Sequence, residues 1–172
     1  MRKIIKTILF IILLLLVSYM LTVIVKKAKR KNTLTEQIQS IPEFLFINVL
    51  NQNNFTNDSI VKEQACLIVY FNSECEHCQN EAEQISKQIH GFDTFQVLMI
   101  SYEPKETILT FRKKYKLLSP AITFLQDSES QFDDIFGNSP IPTSFIYNKE
   151  RALVKQFKGE VKTEALIKYL AQ

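Results

Sequence analysis

Three cysteines and two histidines are too few for several kinds of chemistry in a chain of 172 residues. Disulfide-stapled secreted domains use more cysteines, and a chain of this length can bury a core without staples. A zinc site commonly takes four Cys, His or carboxylate ligands, often with a second clustered pair. Here only His90 is a histidine outside the one cysteine cluster, and its place before Gly91 at a helix end suits a surface residue. No bound metal is expected. Acids are missing from the first 31 positions, which hold eight of the 21 basic side chains. The formal charge of +3 therefore arises at the N-terminus, and the remainder sets 13 basic against 18 acidic side chains, a net −5. That balance excludes a strongly basic nucleic-acid footprint, so no nucleic-acid partner is expected. Internal repeats and low-complexity tracts are lacking as well.

Residues 7–25, TILFIILLLLVSYMLTVIV, contain no charge, proline or glycine. About 20 such residues span the hydrocarbon core of a bilayer as a helix, which makes this stretch a transmembrane candidate. A cleaved signal peptide has a shorter apolar region and a small-x-small site, whereas this run ends in Val23, Ile24 and Val25 and then Lys26 and Lys27. An uncleaved anchor is the expectation. Residues 1–6 form a short basic tail, and 26–40 read as a polar linker. Arg2, Lys3 and Lys6 on one side and Lys26, Lys27, Lys29, Arg30 and Lys31 on the other leave the orientation undecided by charge.

Residues 41–172 read as one domain in which strands and helices alternate. The run 42–50 contains a β-prone segment, and the Asn-rich 51–58 looks like turn material. ACLIVYF (65–71) is a continuous apolar run of the kind buried on both faces of a sheet. A helix follows through EHCQNEAEQISKQIHG, with Gly91 as its stop, and TFQVLMIS (94–101) is the next strand. A helix opening at Pro104, a strand at 121–127, a short helix closed by Gly137, a hairpin over 143–159 and a C-terminal helix complete the chain. The pattern predicts an α/β sandwich around a mixed sheet.

Within SECEHCQ (73–79), Cys75 and Cys78 stand at the junction of strand and helix, where open α/β sheets place their sites. Residues three apart on the first helical turn share a face, so the two sulfurs can pair. The helix start favours a thiolate at the first position, which makes Cys75 the nucleophile and Cys78 the resolving thiol. His77 would favour that thiolate, while Glu74 and Glu76 would oppose it, and the net sign is open. Glu81 lies on the helix face of Cys78, either as a solvated acid or as a proton-transfer group. Cys66, inside the apolar run, is expected to be a small core residue.

The ordered set PEFL, then ACLIVYFNSECEHCQNE, then SPIPTSFIYN resembles the thioredoxin superfamily, and within it the membrane-anchored TlpA/ResA-like thiol-disulfide oxidoreductases. The resemblance covers about residues 41–172 and implies a thioredoxin-like fold. It also implies a cis peptide before Pro142, facing the cysteine pair, with Ile141 presenting backbone to a partner and Glu76, His77 and Thr143 beside it. Cytochrome c maturation members carry an acid where Glu81 stands. By this likeness the domain faces the periplasm or cell exterior from a bacterial inner membrane and reduces protein disulfides. It draws electrons from a membrane donor and needs no cofactor beyond the Cys75–Cys78 disulfide. The sequence departs from the pattern in having no Trp before the pair and Glu76-His77 in place of a proline between the cysteines. Redox direction is therefore open. A thioredoxin-fold copper metallochaperone using the same thiolates is the alternative, since soft sulfur suits Cu(I).

Overall fold

The computed structural model of the chain describes the backbone of every residue except Met1 and Ser139. It describes side chains for all but those two and residues 2–13, 28, 30–32 and 34. The chain divides into two units, residues 1–36 and 37–172. The first consists of helix α1, Arg2–Gln37. Residues 26–37, within the stretch read as a polar linker over 26–40, continue this helix, because Lys, Arg, Ala, Glu and Gln favour it and no Pro or Gly interrupts. The span expected at 7–25 falls within α1, and its positions 7–13 lie outside the described side chains. Among the described residues, no helix is long and apolar enough to cross a membrane.

The second unit is built on seven strands: β1 (Leu45–Asn48), β2 (Asn54–Thr56), β3 (Cys66–Tyr70), β4 (Gln96–Ser101), β5 (Ile122–Gln126), β6 (Thr143–Tyr147) and β7 (Leu153–Lys158). Their order is β2-β1-β5-β4-β3-β6-β7, with β3, β4 and β5 parallel and the outer pairings antiparallel. Helices α2 (Glu76–Lys87), α3 (Lys105–Lys114), α4 (Phe132–Phe136) and α5 (Thr163–Leu170) complete the sandwich. All five residues of β3 are buried, as a strand covered on both faces requires. Leu67 and Val69 join the core formed with Ile85 of α2, Phe111 of α3 and Leu166 of α5. Cys66, Ile68 and Tyr70 join the other, where Tyr70 stacks on Phe132 of α4 at 3.9 Å between ring centroids. Cys66 is fully buried, and loss of hydration pushes its thiol up to about 12, the behaviour of a core residue.

Two local expectations change. The Asn-rich segment is not all turn, because Asn54–Thr56 pairs with β1 as an edge strand and satisfies its backbone there. Gly91 does not stop α2, which ends at Lys87 before a 3-10 turn over Ile89–Phe92. Its bare Cα instead admits Ile167 of α5: an added Cβ would lie 2.6 Å from Ile167 Cδ1. Gly137 does close α4, with φ at 87°.

Asp127, buried after β5, accepts the N–H groups of Gln131 at 3.0 Å and Phe132 at 2.9 Å and so ties down the start of α4. Asp127→Ala is expected to cost about 2 kcal/mol, read by urea denaturation, because one buried and one half-buried donor lose their acceptor.

Candidate active site

β3 delivers the chain through Phe71 to a turn at residues 72–75, and α2 begins directly after it. Several hydrogen bonds shape the turn. Asn72 accepts the Cys75 N–H on its carbonyl at 3.2 Å and the Glu74 N–H on Oδ1 at 2.9 Å. Its amide Nδ2 donates to the Tyr102 hydroxyl at 2.9 Å, and Gln79 Nε2 donates to the Ser73 carbonyl at 2.7 Å. Cys75 occupies the N-cap position with extended backbone, and its side chain makes no capping bond. Its Sγ lies 3.6 Å from the Ile141 carbonyl.

Cys78, one turn into α2, is buried. Loss of hydration pushes its thiol well above the usual range, and the Cys75 and Glu81 side chains add to the rise. Glu81 is only 2% exposed, which settles its place: it faces the interior and not solvent. Its Oε1 accepts the Ser144 hydroxyl of β6 at 3.2 Å, while Oε2 has no hydrogen-bond partner. Burial raises this carboxyl to about 7 against the favourable Ser144 hydroxyl and Val161 amide, and the charge of Glu160 adds to the rise.

The Ile141–Pro142 peptide is cis, and β6 starts at Thr143 beside Tyr70 of β3, so the loop and the cysteine turn lie at one end of neighbouring strands. Ile141 is half-buried, and its carbonyl meets the Cys75 thiol. Thr143 differs from its expected place. It is fully buried, with its hydroxyl donating to the Pro140 carbonyl, so it ties the loop together and does not face a partner. Glu76 is exposed at the first position of α2.

His77 is exposed, and its Nδ1 lies 3.0 Å from Glu160 Oε2. Glu160 also accepts Gln84 Nε2 at 3.1 Å and Asn80 Nδ2 at 3.5 Å. These bonds, His77 foremost, hold the Glu160 carboxyl below its usual range. One nitrogen of the histidine between the cysteines is thus engaged by a carboxylate from the loop after β7, 83 positions away in the chain.

Glu103 also reaches the cysteine turn, with no sequence motif to mark it. It follows β4 and is 8% exposed, with both carboxylate oxygens on Ser73. Its position just beyond the carboxyl end of a parallel strand was the available signal, since α/β sheets gather sites there. Among the described residues, no group of three or more His, Cys, Asp or Glu side chains is arranged to hold a metal.

Similarity to known proteins agrees with this geometry. Thiol-disulfide oxidoreductase ResA of Bacillus subtilis (strain 168) is 28% identical over 112 residues, 63% of this chain and 60% of that protein. ResA of Bacillus cereus (strain ATCC 10987 / NRS 248) is 25% identical over 112 residues, 63% of each chain. The chain therefore spans about three-fifths of the length of these curated relatives. The crystal structure of StoA from Bacillus subtilis aligns with a TM-score of 0.59 at 20% identity, over 76% of this chain and 98% of that one. A secreted Mycobacterium tuberculosis disulfide oxidoreductase homologous to Escherichia coli DsbE aligns at 0.65 and 16% identity, over 79% and 97%. These likenesses establish a thioredoxin-like fold. The AhpC/TSA family model matches residues 39–156, a stretch that includes β1 to β6, Cys75, Cys78 and Pro142, and the chain belongs to that family.

Proposed function

We propose that this chain is a membrane-anchored thiol-disulfide oxidoreductase that reduces disulfides of extracytoplasmic proteins. The observation that carries the reading is the asymmetry of the pair: Cys75 at the helix start beside the Ile141 carbonyl, and Cys78 buried beneath it next to Glu81. The Cys75 thiolate attacks a partner disulfide, forms a mixed disulfide and releases one partner thiolate, which takes a proton from solvent. Cys78 passes its proton to Glu81, whose carboxyl near 7 can accept it, and attacks the Cys75 sulfur. The second partner thiolate leaves, so the partner gains two electrons and the Cys75–Cys78 disulfide forms. A membrane donor then returns the pair to dithiol.

The buried acid at Glu81 supports partners of the cytochrome c maturation type, and the relatives' names support thiol-disulfide chemistry. In the first unit, Leu14, Leu15, Leu16, Val17, Tyr19, Met20 and Leu21 are all exposed. Consecutive apolar positions face every side of a helix, which supports residues 7–25 as a membrane span, and we place it in a bacterial inner membrane with the domain on the outer side.

The test is the equilibrium potential of the Cys75–Cys78 pair in the detergent-solubilised full chain, read by thiol trapping in glutathione or dithiothreitol buffers. A value near or below about −270 mV is expected for a reductase, and one near −120 mV would reverse the direction. A pair that forms no disulfide would overturn the reading and favour Cu(I) retention by the same thiolates. Labelling of Cys75 by an impermeant thiol reagent from the outer face is expected, and its absence would overturn the topology.

A further inference from the structure

We propose that Glu103 is a positioning residue of the thiol site, holding Ser73 so that the 72–75 turn presents Cys75 at the start of α2. The proposal rests on the redox reading of the Cys75–Cys78 pair. Glu103 Oε2 accepts the Ser73 N–H at 2.7 Å and the Ser101 hydroxyl at 3.0 Å, while Oε1 accepts the Ser73 hydroxyl at 2.6 Å. The carboxylate is itself located: the Glu103 N–H donates to Ser101 Oγ at 3.2 Å, and Gln126 Nε2 donates to the Glu103 carbonyl at 3.1 Å. β4 and β5 thus hold the acid, and the acid holds the turn.

A buried carboxylate is costly to desolvate, and closing a tight turn does not require one. The compensation here is three hydrogen bonds to an anion, two of them to the residue two positions before the nucleophile. Both donors of Ser73 are engaged, and its carbonyl is fixed from the other side by Gln79 of α2. A rotation of Ser73 would carry Cys75 away from the Ile141 carbonyl, and small misplacements at reacting centres are expensive in rate. Glutamine keeps the shape but not the charge: with its oxygen on the Ser73 N–H, its NH2 must donate to the Ser73 hydroxyl, which reverses that bond and leaves neutral bonds where the acid makes stronger charge-assisted ones.

The experiment compares Glu103→Gln, Ser73→Ala and the double variant in the detergent-solubilised full chain. It reads alkylation of Cys75 by iodoacetamide in a Cys78→Ser background, the potential of the intact pair, and the thermal midpoint. Glu103→Gln is expected to slow alkylation about 10-fold or more and to shift the potential. Ser73→Ala is expected to slow it less, and the double variant no more than Glu103→Gln alone. Wild-type rate and potential in Glu103→Gln, or losses that multiply in the double variant, would overturn the proposal. Should Glu103→Gln not fold, a wild-type rate and potential in Ser73→Ala would overturn it, and a slowed rate with an unchanged midpoint would support it. A parent pair that never forms a disulfide counts against the redox reading alone, since alkylation still reports how Cys75 is presented.

Discussion

Replacing Cys75 with serine is expected to abolish thiol-disulfide exchange, a fall on the order of 10,000-fold or more, while leaving the protein at least as stable as before. The loss follows from chemistry: a thiolate attacks disulfide sulfur, and a serine hydroxyl is far too weak an acid to supply an equivalent anion near neutrality. The stability follows from position. Cys75 is the N-cap of α2 and makes no capping bond with its side chain, whereas serine is among the residues best suited to that place. A gain of about 0.5–1 kcal/mol is reasonable for a cap newly satisfied. The check is a disulfide-reduction assay beside urea denaturation of both proteins. Full loss of activity with an unchanged or higher midpoint separates a residue kept for reactivity from one kept for packing. Residual exchange above background in the serine variant would contradict the assignment of Cys75 as nucleophile.

The second large effect concerns Glu81 and pH. Its carboxyl titrates near 4.5 in the unfolded chain and near 7 when folded, where burial is the dominant cause of the rise. Between those values the folded protein binds a proton that the unfolded chain does not. This contribution to stability is complete below about 4.5 and is lost as pH rises through 7. The difference amounts to about 3 kcal/mol. Glu81→Gln keeps an acceptor for Ser144 and removes the titration. Denaturant midpoints of the parent should therefore fall relative to the variant between pH 5 and pH 8. Parallel curves for the two proteins would show that the buried acid does not titrate as assigned. The same substitution removes the acceptor for the Cys78 proton, so resolution of the mixed disulfide should slow in the variant.

Parts of this arrangement could be read from the sequence because they depend on neighbours in the chain. The buried strand at 66–70 is an unbroken apolar run, and the cysteines lie where that run gives way to helix formers. The three-residue spacing of Cys78 and Glu81 fixes their shared face whatever the rest of the fold does. What stayed hidden depends on residues brought together from afar. Glu103 meets Ser73 across 30 positions, and His77 meets Glu160 across 83. No pattern on one segment encodes such a meeting. Thr143 sits beside the expected cis-proline, yet its burial comes from strand pairing on both sides, to Tyr70 and Lys158. Asn54–Thr56 is a strand only because β1 offers it partners. Gly91 resembled a helix stop in sequence, while its place is set by a contact with Ile167 from the last helix.

The strand order also governs how the protein is born. β3 lies between β4, made soon after it, and β6, whose last residue Tyr147 is synthesised 69 positions after Cys78. At roughly 5–20 residues per second, that interval is about 3 to 14 s. During it the nascent chain carries both thiols without the Ile141 loop that will stand over Cys75 or the Ser144 hydroxyl that will meet Glu81. If the domain is exported as proposed, the emerging chain meets oxidants before Ile141 and Ser144 reach the cysteine pair. Any disulfide the pair forms in that interval is then set by its surroundings, and the folded protein governs the pair only once the final hairpin closes on β3.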